Sequence, residues 1–376
     1  MNGRGDIQPD GHNASVAPPR YTAVSLYAGA GGLDRGFSRA GFELLWAIES
    51  DPHAVETYRT NVGDHVTHGE LPDDLPPDDL CPDLIIGGPP CQGFSVIGRM
   101  DPDDPRSLHV HRFLDIVERL EPRAFCLENV KALAVSNRWE PVREALLQRG
   151  RELEYHVESM VLNAADYGVP QARERMFLVG VRGGSPLCPV PTTKGSAPSV
   201  RGALEGLPRF GEPGNATVTT AKVVPAAKPV MRPTAYKGSL LFNGSGRPLQ
   251  LSGPAKTLPA SMGGNATPII DQDELENGSE PWVVGYHERL LRGKAPIERA
   301  PSRLRRITVE EVAVLQGFPP DWEWRGPRGA MYRQVGNAVP PILGERVGIS
   351  LRQALEAMDV RRSVADATTA APNAMA

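Results

Sequence analysis

Pro82-Asp83-Leu84-Ile85-Ile86-Gly87-Gly88-Pro89-Pro90-Cys91-Gln92-Gly93-Phe94-Ser95 is the stretch from which the fold is read. It begins as a short apolar run of the length of a buried strand. Two glycines and two prolines stop that run and set a stiff turn. A cysteine follows at once. Open α/β sheets carry their chemistry at the carboxyl ends of strands, which is where this thiol falls. A free cysteine is as often a small buried core residue, and the stretch alone leaves both readings open.

Outward from it, the chain has 376 residues, room for one large domain or two ordinary ones. Its 40% hydrophobic and 23% charged content is that of a soluble globular protein. No apolar run has the length of a bilayer span, and the N-terminus shows no charged-then-apolar leader, so a cytoplasmic protein without membrane contact is expected. Cys81, Cys91, Cys126 and Cys188 form no C-x-x-C pair, so neither a metal site nor a disulfide framework is expected. The net charge of -4 hides an uneven distribution. Glu49 to Asp104 holds thirteen acidic residues against two arginines, whereas Val181 to Ile270 holds ten Lys/Arg against two glutamates. A basic segment in a weakly acidic chain suits either a solvated face or a phosphate-binding surface.

In chain order, residues 1–20 lack periodicity and read as a disordered lead-in. Tyr21 to Tyr27 reads as a strand that runs into Ala28-Gly29-Ala30-Gly31-Gly32 and a helix to Ala40. Strand, glycine loop and helix open a nucleotide-type α/β unit, although the loop is not G-x-G-x-x-G. The strand Leu44 to Ile48 ends in Glu49, twenty residues after Gly29, a place suited to binding ribose hydroxyls. Gly69-Glu70-Leu71 reads as the end of a short third strand. Val96 to Arg106 reads as a long exposed loop, Leu108 to Leu120 as a helix, and Ala124 to Leu127 as a strand ending at Glu128-Asn129-Val130. A helix from Trp139 to Arg149 is expected to be capped by Gly150. Strands at Tyr155 to Leu162 and Met176 to Val181 flank the loop carrying Gln171-Ala172-Arg173-Glu174-Arg175. From Gly183 to about Ala300 few helical periods are visible, and loops with short strands are expected. Thr308-Val309-Glu310-Glu311 is a capping box, and a final helix ends near Asp359, before a disordered tail.

With these motifs placed, the sequence resembles the cytosine-5 DNA methyltransferase family. Tyr27-Ala28-Gly29-Ala30-Gly31-Gly32, Pro89-Pro90-Cys91-Gln92, Glu128-Asn129-Val130, Gln171-Ala172-Arg173-Glu174-Arg175, Leu315-Gln316-Gly317-Phe318-Pro319 and Gly336-Asn337-Ala338-Val339-Pro340-Pro341 are similar to six family motifs and occur in family order. The resemblance implies that Cys91, Glu128, Arg175 and Arg173 are catalytic. It implies S-adenosyl-L-methionine as cofactor, bound by Tyr27, Gly29, Gly31, Glu49, Glu70, Pro89, Asn337 and Val339. Ser50 departs from members with an aromatic under the adenine. Gln92, Ser95, Arg106, Thr257 and Leu258 are implied to bind the DNA.

The implied fold is α/β: a Rossmann-like S-adenosylmethionine-dependent methyltransferase domain with a mixed, mostly parallel sheet and one reversed strand, plus a smaller loop-and-strand-rich target-recognition domain. The expected division is 21–190 for catalysis and cofactor, 191–330 for recognition, 331–360 for a helix returning to the catalytic domain, and 361–376 for the tail. The implied substrate is cytosine flipped from double-stranded DNA. The compact form suggests a monomeric bacterial enzyme, nucleoid-associated when on DNA, of restriction-modification or solitary type. A cognate restriction endonuclease is the partner the former type implies. An RNA cytosine-5 methyltransferase and a DNA-binding protein that has lost catalysis are the rival classes.

Overall fold

The computed structural model describes residues 21–90 and 108–370, with backbone alone for 365–370. Cys91, Gln92, Ser95 and Arg106 lie outside the described residues, as do the lead-in 1–20 and the whole of the expected loop 96–106.

The chain first alternates strand and helix: β1 (Tyr21–Leu26), α1 (Gly32–Arg39), β2 (Phe42–Glu49), α2 (Pro52–Asn61), β3 (Val66–His68) and β4 (Leu84–Gly87). Next come α3 (His109–Leu120), β5 (Ala124–Val130), α4 (Lys131–Val135), α5 (Glu140–Glu152), β6 (Tyr155–Asn163), β7 (Gln171–Ala172) and β8 (Glu174–Arg182). A more irregular part holds α6 (Val200–Leu204), β9 (Pro225–Val230), β10 (Leu240–Phe242), β11 (Ala255–Lys256) and β12 (Ile269–Asp271). The chain then runs through α7 (Gln272–Asn277), α8 (Trp282–Leu291), β13 (Leu304–Arg306), α9 (Val309–Leu315), α10 (Arg328–Asn337) and α11 (Pro341–Ala370).

Among the described residues, seven strands form one sheet in the order β3-β2-β1-β4-β5-β8-β6. The pairs from β3 to β5 are parallel, while β8 runs antiparallel to both of its neighbours. β8 is therefore the one reversed strand. Both faces are covered, which explains why the central strands are apolar throughout rather than alternating. Ala23, Leu84, Ile86 and Cys126 face one core with Leu33 and Phe37 of α1 and Leu343, Val347 and Leu351 of α11. Val24, Leu26, Ile85 and Phe125 face the other with Val110, Phe113 and Val117 of α3 and Leu146 of α5. The chain leaves β1 toward β2 on one side and reaches β4 on the other. A crevice opens where the strand order reverses, at the carboxyl ends of β1 and β4.

The smaller region is strand- and loop-rich, with β9–β10 and β12–β13 as antiparallel pairs. It also contains α6, α7 and α8, more helix than its glycine-rich texture suggests. In α8, Val283, Tyr286 and Leu290 recur at helical spacing and pack on Leu241, Phe242 and Ile269. The capping box forms in both directions. Thr308 Oγ1 accepts from the Glu311 N–H at 3.0 Å, and the Thr308 N–H donates to Glu311 Oε2 at 2.9 Å.

Several expected boundaries move. β3 stops at His68, before Gly69-Glu70. α5 runs through Gly150 to Glu152 instead of ending there, because Val157 packs against the missing side chain. β5 and β8 each extend until they meet across the Val130↔Arg175 pair, so Glu128 and Arg175 lie within strands rather than just beyond them. The last helical segment is two helices separated at Ala338–Pro340, and the second continues about ten residues past Asp359 to Ala370.

Candidate active site

The loop between β1 and α1 is shaped by backbone that few side chains tolerate. Tyr27, Gly29 and Gly31 all have positive φ, at 56°, 58° and 84°. A Cβ on Gly29 would meet nothing within 4 Å, so its backbone is open to a ligand. A Cβ on Gly31 would meet Val62 Cγ2 at 2.6 Å and Tyr58 Cδ2 at 3.0 Å. Gly31 thus serves the packing of the loop on α2 rather than lining the cavity.

Glu49 ends β2 beside this loop. Its Oε2 accepts from the Gly29 N–H at 2.9 Å and its Oε1 from the Asp51 N–H at 2.8 Å. A carboxylate has about four acceptor positions, so capacity remains for a diol. Burial pushes its pKa up against the lowering effect of those two N–H groups. Behind the loop, Asp34 is wholly buried, accepting from Ser25 Oγ at 2.8 Å and Tyr58 OH at 2.7 Å. Burial raises it to about 6.

On the other side of the crevice, Glu128 of β5 and Arg175 of β8 are nearly buried, and Arg175 Nε lies 2.9 Å from Glu128 Oε1. The N–H is not aligned on that oxygen, so the contact is an ion pair rather than a directed hydrogen bond. Desolvation raises the Glu128 pKa, while Arg175 and then Arg173 pull it down. The chain leaving β4 is held against this pair. Asn129 Nδ2 donates to Pro89 O at 3.2 Å, and a Cβ on Gly88 would sit 3.0 Å from Glu128 Oε2. The chain is therefore fixed to β5 at Pro89, two residues before Cys91.

A cavity of about 350 Å³ joins the two sides, within the range of small-molecule sites. Tyr27, Gly29, Glu49, Pro89, Asn337 and Val339 line it together with Glu128 and Arg175. Gly31, Glu70, Arg173, Thr257 and Leu258 do not. Glu70 is exposed, and its N–H donates to Asp74 Oδ2 at 3.0 Å. Arg173 is buried and binds the carbonyls of Leu258 and Gly336. The Leu258 side chain lies in a core cluster with Leu251, Leu315 and Val335. Thr257 is exposed, and its hydroxyl donates to Ala172 O at 2.9 Å. Sequence reasoning passed over Asn129, Asp34 and Arg333. Asn129 stood inside a quoted motif. Asp34 looked like an ordinary acid in a first helical turn. Arg333 precedes the late motif, lines the cavity and pairs with Asp51 Oδ2 at 2.8 Å.

The residues fit S-adenosylmethionine: an open glycine backbone at a helix start, a buried carboxylate with spare acceptor capacity, and a cavity of suitable size. Fold and site together define an S-adenosylmethionine-dependent α/β methyltransferase. Residues 21–353 match the C-5 cytosine-specific DNA methylase family, and the chain belongs to it. It is similar to the type II methyltransferase M1.HphI of Haemophilus parahaemolyticus, 32% identical over 340 residues covering 87% of this chain and 85% of that one. Similarity to the type II methyltransferase M.XorII of Xanthomonas oryzae is also 32%, over 372 residues covering 89% and 85%. In fold it is similar to a putative DNA modification methyltransferase from an Escherichia coli prophage, with a TM-score of 0.61, 23% identity and coverage of 89% and 99%. The protein is a DNA (cytosine-5-)-methyltransferase that uses S-adenosylmethionine and acts on double-stranded DNA.

Proposed function

We propose that the crevice brings a flipped cytosine, held by Glu128, Arg175 and Cys91, against a cofactor held by Gly29, Glu49 and Asn337. The observation that carries this is the shared cavity. The groups suited to a pyrimidine and those suited to an adenosine line one space. C5 of cytosine is a weak nucleophile. Addition of the Cys91 thiolate to C6 forms an S–C6 bond and moves an electron pair to C5. Glu128, whose buried carboxyl favours its protonated form, donates to N3 and accepts from the exocyclic amine. Arg175 donates to O2 as charge develops there. Bound S-adenosylmethionine supplies the methyl group as an electrophile. Loss of the C5 proton then breaks the S–C6 bond, returns the electron pair to sulfur and restores the aromatic ring. Arg173 acts by position, through the carbonyls of Leu258 and Gly336.

Residues 191–330 are proposed as the target-recognition unit because the basic segment falls there and supplies phosphate-binding charge. Gln92, Ser95, Arg106 and Thr257 are proposed to meet the DNA, and Leu258 to position Thr257 beside it. A monomer in the bacterial cytoplasm, bound to the nucleoid through its substrate, accords with this arrangement. A cognate restriction endonuclease is proposed as a functional partner.

The test is Cys91→Ala, expected to abolish transfer of tritiated methyl to DNA while leaving DNA binding intact. Turnover by that variant would overturn the mechanism. Duplex containing 5-fluorocytosine should trap a covalent adduct, because fluorine blocks the final elimination. Bisulfite sequencing of DNA from a host expressing the protein then reports the target sequence.

A further inference from the structure

Three buried polar side chains close a ring between the Thr257-Leu258 dipeptide and the wall of the cofactor cavity. Gln171 and Gln316 are fully buried and Arg173 is 1% exposed. The Leu258 N–H donates to Gln171 Oε1 at 3.0 Å, and Gln171 Nε2 donates to Gln316 Oε1 at 2.7 Å. Gln316 Nε2 donates to Val335 O at 2.8 Å and to Ala338 O at 3.2 Å. The ring returns through Arg173, whose Nη2 donates to Gly336 O at 2.8 Å and whose Nη1 donates to Leu258 O at 3.1 Å.

Two of the tied segments have different tasks. Asn337, Ala338 and Val339 line the cavity. Leu258 follows β11, which pairs in parallel with β7 through Ala255↔Gln171 and Lys256↔Ala172 and belongs to the basic recognition segment. In a low-dielectric interior, stranding any member of the ring is costly, and satisfied bonds in such a network reinforce one another. The turn at 335–338 therefore cannot shift toward a ligand without moving Leu258, or breaking the ring. Simple packing could be met by apolar side chains of equal volume. A closed donor–acceptor circuit instead fixes two backbones to each other with direction.

We propose that Gln171 and Gln316 are positioning residues that couple occupancy of the cofactor cavity to DNA affinity. The inference rests on the reading of that cavity as the cofactor site. Coupling of this kind is reciprocal: what cofactor does to DNA affinity, DNA does to cofactor affinity by the same factor.

The experiment measures duplex affinity with and without saturating S-adenosylhomocysteine, using a duplex of the target sequence found by bisulfite mapping. In the wild type, S-adenosylhomocysteine is expected to tighten duplex binding by about fivefold or more. Gln316→Met and Gln171→Met, which keep volume and remove the donors and acceptors, should bring that factor below about twofold, with each ligand alone bound within about threefold of wild type. Thr257→Val, at an exposed position, removes the hydroxyl bond to Ala172; a lost DNA contact would weaken duplex binding equally with and without S-adenosylhomocysteine, so the factor itself should fall at least about twofold through the ring, even if the buried variants do not fold. No coupling in the wild type, or a wild-type coupling factor in Thr257→Val and in every folded Gln variant, overturns the proposal. Failure of S-adenosylhomocysteine to bind the wild type alone would instead overturn the cofactor reading of the cavity.

Discussion

Arg175 reaches Glu128 diagonally across two antiparallel strands, two residues from the carboxylate's own partner. The register sets Glu128 opposite Phe177 and Val130 opposite Arg175, and the guanidinium leans back to lie 2.9 Å from Glu128 Oε1. Burial, which raises the acid's pKa, is thus set against a permanent cation that lowers it. Glu128→Gln keeps the shape and removes the exchangeable proton. It should lower kcat for methyl transfer by about 10²–10⁴-fold while duplex affinity changes little. Arg175→Lys keeps the charge without the planar fork and should also lose kcat. Single-turnover assays with radiolabelled methyl donor check both, and near-wild-type rates in Glu128→Gln would remove the acid from the mechanism.

The buried Asp34 gives the fold a pH signature. Its folded pKa of about 6 lies above the ordinary carboxylate value of 3.8. Between those two values the native state holds a proton that the unfolded state has lost, so its contribution to stability falls as pH rises through the window. The cost is on the order of 3 kcal/mol at neutral pH. Asp34→Asn removes the titration; its carbonyl oxygen still accepts from one of the two hydroxyls and its amide donates to the other. Urea unfolding at pH 4 and pH 7 should show the variant gaining on the wild type as pH increases. A pH-independent difference would contradict this.

Gly31 and Gly168 share a left-handed backbone, at φ 84° and 94°, but not a neighbourhood. A Cβ on Gly168 meets nothing within 4 Å, whereas one on Gly31 collides with α2. Gly168→Ala should therefore cost about 1–2 kcal/mol of backbone strain. Gly31→Ala adds overpacking, for a total of roughly 3 kcal/mol or more, and should also weaken S-adenosylhomocysteine binding. Denaturant titration and calorimetry separate the two effects.

Arg333 and Asp51 face each other at the cavity from α10 and the start of α2, 2.8 Å apart and partly exposed. Such a pair is worth about 1 kcal/mol or less, so Arg333→Gln should speed cofactor dissociation by no more than about fivefold. The wild-type rate should rise with salt and the variant's should not. Stopped-flow measurement at two ionic strengths decides the point.

Much of this was legible from local pattern. Apolar runs of strand length, the loop Gly29–Gly32 and the capping box at Thr308 each announce themselves within a few residues, because their physics is local. The chemistry and order of their motifs put Glu128 and Arg175 at one site, and both do line the cavity, whereas Cys91 lies outside the described residues. The cross-chain contacts were not. Leu258 looked like a DNA contact because nothing local reveals that its side chain meets Leu315 and Val335. The role of Gln171 depends on Gln316, 145 positions away. Glu70 sits two residues past the end of the strand that was expected to carry it, and it faces solvent instead of the cavity.

Because β8 runs against its neighbours, the spacing between Glu128 and Arg175 is written in the ladder between two strands. The forty-odd residues that join them form α4, α5, β6 and β7. Their exposed turns, such as the one at Ser136–Arg138, can lengthen, shorten or accept an inserted module without moving either side chain. The Glu128–Arg175 separation is insulated from the connection, and new surface can be added to this enzyme there without disturbing the pair.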